Sequence, residues 1–317
     1  MTQSSWTTLP DQPAIPGLHV LNEVGRGLHS VVYRAQRGSH IYAVKVPRSV
    51  GAVLADTVAT QFRREASTLA LVHHPSLPAV LEVGQTDTLP YLVMEYVAGR
   101  TLLAVLEQGR LPEARVVALA TMLAGALAAV HRHGVTHRDV QPRNILVNEN
   151  GNVTLIDFGF AAYSTPAVES GYVVGTLRYN APEQSGMLKR PIDGRSDLYA
   201  LGVILFECLV GAPPFTAALA SELMRQHAVV PAPDVRHREP TVSPALAAII
   251  ARLLAKDPDD RYQTAEGLLS DLNQLSHLNN VIAAGGTIQL AADDFWTAAL
   301  YEEALVGRDQ ELSVLRQ

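Results

Sequence analysis

A chain of 317 residues, 48% of them apolar, is long enough for two or three units with a sizeable core, which excludes wholesale disorder. A formal net charge of −6 argues against nucleic acid as the main partner. The single cysteine, Cys208, excludes a disulfide framework, suits a reducing compartment, and reads as a core thiol in an apolar helical run.

Residues 1–16 are polar and proline-containing, without a basic start or an apolar stretch, and read as a flexible tail rather than a targeting segment. The longest apolar runs, Val116–Val130 and Leu198–Val210, fall short of the roughly 20 residues of a membrane span and read as buried core helices. The expected location is therefore cytoplasmic. From residue 17 the chain alternates strand signals with turns. Val24-Gly25-Arg26-Gly27-Leu28-His29-Ser30 is a glycine-containing turn whose backbone could lie close over a phosphate. Ile41–Val46 is a strand, and its period of two puts Ala43 and Lys45 on one face.

A helix follows over 57–72, with Val58, Phe62, Leu69 and Val72 on one stripe and Glu65 among them. A carboxylate on a buried stripe needs a cation. Lys45 is one candidate, and an arginine from a neighbouring helix is the other. His73 and His74 read as loop residues before Pro75. Strands fit Ala79–Val83 and Tyr91–Met94, and residues 95–99 form a connector. Helices dominate from Thr101 onward, one opened by Pro112 and Glu113 and closed by Gly134.

The chemistry-bearing stretch is His137-Arg138-Asp139-Val140-Gln141-Pro142-Arg143-Asn144. Two apolar runs, Ile145–Val147 and Val153–Ile156, flank a polar Asn-Gly tip and predict a hairpin ending in Asp157-Phe158-Gly159. The hairpin's open end sets Asn144 beside Asp157, roughly 5 Å apart in backbone terms. Their oxygens suit a shared hard divalent cation, and Asp139 supplies a second carboxylate nearby. Residues 160–180 lack periodicity and read as a mobile loop. Ser196-Asp197 opens a helix ending at Gly211, and helical patterns recur near 217–227, 243–255 and 264–277.

Taken in order, the glycine turn, Ala43-Val44-Lys45, Glu65, His137-Arg138-Asp139 with Asn144, Asp157-Phe158-Gly159 and Ala181-Pro182-Glu183 resemble a eukaryotic-like serine/threonine protein kinase domain over residues 17–275. The resemblance implies an α+β, bilobal fold: a small, mostly antiparallel β N-lobe with one main helix (17–97) and a larger, mostly helical C-lobe (98–277). It implies ATP with Mg²⁺, or Mn²⁺ in its place, as cofactors, and proteins with serine or threonine acceptors as partners. By the same resemblance Val24, Gly25 and Gly27 would cover the phosphates, Lys45 would hold them and Glu65 would orient Lys45. Val32, Ala43 and Leu146 would sandwich adenine. Met94 would guard the back of its pocket, and Glu95 and Val97 would offer the base backbone hydrogen bonds. Asp139 would accept the substrate hydroxyl proton, Asn144 and Asp157 would bind the metal, and Thr176 joins the catalytic set through the Gly175–Asn180 substrate pocket. Asp197 would bond the backbone of the His137 loop, and Glu183 would pair with Arg261. Arg138 would receive a phosphate placed on Ser164, Thr165 or Ser170.

Two departures matter. Ser30 replaces the turn's last glycine, and Gln141 replaces a lysine that contacts the transferred phosphate. Ser30 predicts a modest effect on nucleotide affinity, and Gln141 predicts a slower enzyme. They also keep open an ATP-binding pseudokinase that regulates attached or partner domains without phosphotransfer, and more weakly a small-molecule phosphotransferase. Residues 278–317 read as a linker, around Gly285-Gly286, and then an amphipathic helix carrying Phe295, Trp296, Leu300, Tyr301 and Leu305. Val306–Leu312 resembles the opening of a regulatory AAA/STAND-type ATPase module, which implies a longer multidomain bacterial signalling kinase with downstream regulatory domains.

Overall fold

The computed structural model describes residues 13–26, 30–47, 62, 66–67, 69–86, 90–158 and 177–294. The chain divides into two compact units, 1–99 and 100–317. One is a small antiparallel β unit and the other a larger helical unit, as the bilobal α+β expectation requires.

In the first unit β1 (His19–Arg26), β2 (Ser30–Arg37), β3 (His40–Pro47), β4 (Val80–Gln85) and β5 (Pro90–Glu95) form one sheet in the order β1-β2-β3-β5-β4. Side-chain alternation divides this sheet into two faces. Val31, Tyr33, Ala35, Val44, Val46 and Val93 form one apolar cluster. The opposite face carries Val32, Ala43, Lys45 and Met94. The register sets Val32 across from Lys45 and Ala43 across from Met94, so these side chains share that face. Phe62, Ala66 and Leu69 are helical and buried, Phe62 and Leu69 as the expected stripe requires, but the helix gives way to a turn at Ala70 and Leu71, so Val72 is buried outside it.

The second unit begins with β6 (Arg100–Thr101), which pairs with β7 (Ile145–Val147), itself paired with β8 (Val153–Leu155). Two helices precede the hairpin: α1 (Leu102–Leu106), capped by the Thr101 side chain, and α2 (Glu113–His131). By length and composition α2 is apolar enough to cross a membrane. Its Val116, Leu119, Leu123, Leu127 and Val130 instead lie in the unit's core, because neighbouring helices cover them.

The central helix, α3 (Gly194–Val210), is buried along nearly its whole length. It starts two residues before the expected Ser196, because the Asp193 side chain accepts from the Arg195 amide and caps it. Gly211, at φ 82°, ends it in the left-handed conformation that favours glycine. A Cβ on Gly202 would lie 2.7 Å from Leu253 Cβ, so glycine there permits the close approach of α6 (Pro244–Leu253). Burial pushes the Cys208 thiol pKa up, as an inert core thiol requires.

The peripheral helices are α4 (Ala220–Val229), α5 (Val235–Arg238), α7 (Ala265–Asn273) and α8 (Leu275–Ala283). The last corrects the linker reading, because the helix continues to Ala283 with Leu275 and Leu278 buried. The following segment is also tied down. Asp294 accepts from the Thr264 amide (2.9 Å) and hydroxyl (2.6 Å) at the start of α7.

Candidate active site

The hairpin forms as the sequence predicts, with one refinement of register. Ile145 pairs with Leu155, and the ladder extends through an Ile156 N–H bond to Asn144 O of 2.8 Å. Ile156 therefore lies directly across from Asn144, and Asp157 lies one residue beyond. Asp157 adopts φ 60°, a left-handed conformation rare outside glycine, where the hairpin hands over to the next loop. At the tip, the Asn148 side chain accepts from the amides of Asn150 and Asn152.

The loop preceding the hairpin is built from interlocking polar contacts. His137, fully buried, takes the Asp139 amide on Nδ1 (3.3 Å), which leaves Nε2–H to donate to Ile156 O (3.1 Å). Its ring packs on Phe158 with centroids 4.6 Å apart. This single side chain thus joins the Asp139 loop to the Asp157 loop. Asp197, 1% exposed on α3, accepts from the backbone amides of His137 (2.8 Å) and Arg138 (2.7 Å), and its Oδ2 lies 2.8 Å from His131 Nε2.

Both carboxylate oxygens of Asp139 are held by neutral amides. Gln141 Nε2 donates to Oδ1 at 2.5 Å, and Asn144 Nδ2 donates to Oδ2 at 2.8 Å and to the Asp139 carbonyl at 2.9 Å. Burial raises the Asp139 carboxyl above the ordinary range. His137, Asn144 and Arg143 pull it back, and Asp157 adds to the rise. Because the Asn144 nitrogen faces Asp139, its carbonyl oxygen is turned away from that carboxylate, the arrangement a metal ligand at this position needs.

The neighbouring 3-10 turn, Pro182–Ser185, is anchored by a buried ion pair. Arg261 donates to both oxygens of Glu183 (2.8 and 2.9 Å), to the carbonyls of Ala255, Arg195 and Lys256, and lies over the Tyr199 ring. Ser196 Oγ donates to the same Glu183 at 2.7 Å. Burial raises the Glu207 carboxyl, which accepts from Tyr179 Oη at 2.7 Å. Burial, with Glu207 beside it, pushes the Tyr179 phenol up in turn.

Among the candidate residues of the first unit, Lys45 is 3% exposed on the face shared with Val32, Ala43 and Met94. The register jumps between Glu23 and Gly25, which leaves Val24 unpaired at a bulge and 45% exposed. The Glu95 N–H is committed to Ala79 O at 2.9 Å, so a base could use only its carbonyl. Val97 is half-buried in the connector. In the second unit Leu146 points to the sheet face opposite Ile145 and Val147. Gly27, Glu65, Thr176 and the 159–176 segment with Ser164, Thr165 and Ser170 lie outside the described residues.

Several supporting residues are not singled out by motif spacing. Glu207 had a signal, a lone carboxylate in an apolar helical run. Gln184 and His131 had none, because their contacts are made only in three dimensions.

The protein kinase domain family matches residues 18–272. The chain is 38% identical over 225 residues to the serine/threonine-protein kinase PknB of Mycolicibacterium smegmatis, covering 67% of this chain and 35% of the relative. Similar relatives include PknH of Mycobacterium bovis, 36% identical over 254 residues, with 79% of this chain and 42% of the relative covered. PrkC of Bacillus subtilis is 33% identical over 258 residues, with 80% and 38% covered. The chain thus spans 35–42% of the length of these curated relatives.

Proposed function

Because the chain belongs to the protein kinase domain family, we propose that it transfers the γ-phosphate of ATP to serine and threonine hydroxyls of proteins. The observation that carries this reading is the Asp139 carboxylate, held on both oxygens and flanked by the hairpin that ends in Asn144 and Asp157. In the reaction the acceptor oxygen bonds to the γ-phosphorus as the bond to the β–γ bridging oxygen breaks and ADP leaves. Asp139 takes the proton released by the acceptor hydroxyl. A divalent cation, Mg²⁺ by its preference for oxygen ligands, would be held by Asn144 and Asp157 and would supply charge neutralisation on the phosphates.

Within the first unit, Val32, Ala43 and the Met94–Val97 stretch would face adenine, and Lys45 and Gly25 the phosphates. Among the described residues, a Cβ on Gly25 would meet only Val32 Cβ, at 3.9 Å. Packing by the described residues therefore does not require glycine there, whereas close approach of a phosphate would. The reading extends to control by phosphorylation of Ser164, Thr165 or Ser170, with Arg138 as the receiving cation.

The test is phosphate transfer from labelled ATP to a generic protein substrate, comparing wild type with Asp139→Asn, with phosphosites mapped in the same reactions. Wild type is expected to label substrate and its own 160–176 segment, and Asp139→Asn to label neither. Equal labelling by both proteins would sink the assignment of Asp139. ATP binding without transfer by wild type would instead favour the pseudokinase reading, which the neutral Gln141 amide supports.

A further inference from the structure

The peptide joining Arg138 to Asp139 is strained and held from outside the loop. Arg138 sits at φ 63°. A peptide group is planar, so fixing its carbonyl oxygen and amide hydrogen fixes the direction in which the next residue leaves. The Asp139 N–H end of this peptide is bonded to His137 Nδ1 (3.3 Å), and the Arg138 N–H before it to Asp197 (2.7 Å). The carbonyl end is bonded from a different element: Gln184 Nε2 donates to Arg138 O at 2.8 Å.

Gln184 itself is fixed by its position. It is the third residue of the 3-10 turn, and its Oε1 accepts from the Ala181 amide at 2.9 Å, while its own amide bonds Ala181 O. Its neighbour Glu183 is locked to Arg261 and Ser196, and Ser196 is adjacent to Asp197. Gln184 on the turn and Asp197 on α3 therefore hold the Arg138 backbone from two elements, and their neighbours Glu183 and Ser196 bond those elements to each other. Ala181 closes the strip, 177–181, whose earlier residues belong to the Gly175–Asn180 substrate pocket that the kinase resemblance implies. One side chain amide thus bridges the substrate strip and the peptide that aims Asp139.

We propose that Gln184 is a positioning residue that couples the substrate strip to Asp139: its Oε1 holds Ala181, and its Nε2 holds the strained Arg138 carbonyl. This rests on the reading of Asp139 as proton acceptor. A carboxylate in Gln184→Glu keeps the acceptor for the Ala181 amide but has no donor for Arg138 O. A thioether in Gln184→Met loses both at similar length. In the full chain at pH 8, Gln184→Glu is expected to lower kcat about tenfold, the effect of one lost positioning hydrogen bond, with the KM values for peptide and ATP within about twofold of wild type. Gln184→Met is expected to lower kcat equally and also to raise the peptide KM.

A kcat in Gln184→Glu within about twofold of wild type overturns the proposal, and so does a loss matched by an equal fall in folded protein. Asp139→Asn, assayed alongside, keeps the two readings apart. Full transfer by Asp139→Asn removes the base assignment, whereas an inactive Asp139→Asn with an unchanged Gln184→Glu removes only the role of Gln184.

Discussion

Replacing Gln141 by lysine should change both the pH dependence and the speed of transfer. Gln141 is 3% exposed, and its amide donates to Asp139 Oδ1 at 2.5 Å. An ammonium group in its place would sit within about 4 Å of the carboxylate, where Coulomb attraction is about 4 kcal/mol at an effective dielectric of 20. Desolvating the lysine offsets much of that, which leaves a net downward shift of the Asp139 pKa. The sign follows from the direction of the native perturbation. Burial holds this carboxyl above its usual range, so the base begins to be lost by protonation at a higher pH than an exposed aspartate would. Lysine therefore moves the acid limb of kcat/KM to lower pH, and Gln141→Met, which removes a donor without adding charge, moves it to higher pH. On the plateau, lysine would also add the charged contact to the transferred phosphate that the kinase resemblance implies, worth on the order of 10² in rate when such a preorganised donor is lost elsewhere. Steady-state transfer to a peptide between about pH 5 and 9, for wild type and both variants, reads all three effects. An acid limb that stays in place with lysine, or a plateau turnover unchanged or lower, would refute the reasoning.

Glu183→Gln should cost about 3–5 kcal/mol, because it strands the fully buried Arg261 guanidinium. Thermal unfolding followed by circular dichroism should show the melting point falling by about 6–20 °C, and a fall under about 3 °C would contradict the ion pair's role. Asp294→Ala should lower stability by about 1–2 kcal/mol, since Thr264 loses its backbone and hydroxyl partner at the start of α7. The same melt, with phosphotransfer retained, checks it; an unshifted melt would restore the reading of that segment as a loose linker.

The parts of the site that depend on local spacing were legible in the sequence. Ala43 and Lys45 share a face because a strand alternates, and the hairpin closes where the Asn-Gly tip predicts. The register at the open end was not legible, because it is set at the tip, where the Asn148 amide bonds Asn152 O and so places Ile156 across from Asn144; the left-handed backbone at Asp157 is a separate feature that no propensity favours. The start of α3 was misjudged by two residues because Ser196 and Asp197 look like caps. Both are instead buried ligands of other backbone and side-chain groups, and Asp193 does the capping. The helical continuation to Ala283 was hidden by Gly285-Gly286, which ends a helix as readily as it marks a linker.

The buried polar residues on α3 have a common logic. A helix apolar on every side needs no polar group to fold, and each one it buries is unfavourable until paired. Ser196, Asp197 and Glu207 are all buried and all paired, and each has a partner on a segment that lacks regular structure to hold it: Glu183 in a 3-10 turn, the His137–Arg138 backbone in a loop, Tyr179 in the strip before Ala181; Asp197 also meets His131 at the end of α2. Arg138 and Asp157 carry left-handed strain of roughly 1–3 kcal/mol each, and irregular loops have no ladder to offset it. Charge-assisted hydrogen bonds, worth about 1.5–3 kcal/mol apiece, are of the right size to do so at Arg138, where Asp197 accepts the amide. The apolar residues of α3 thus build the unit's core, and its polar exceptions hold the loops that the chemistry needs in conformations they would not adopt alone.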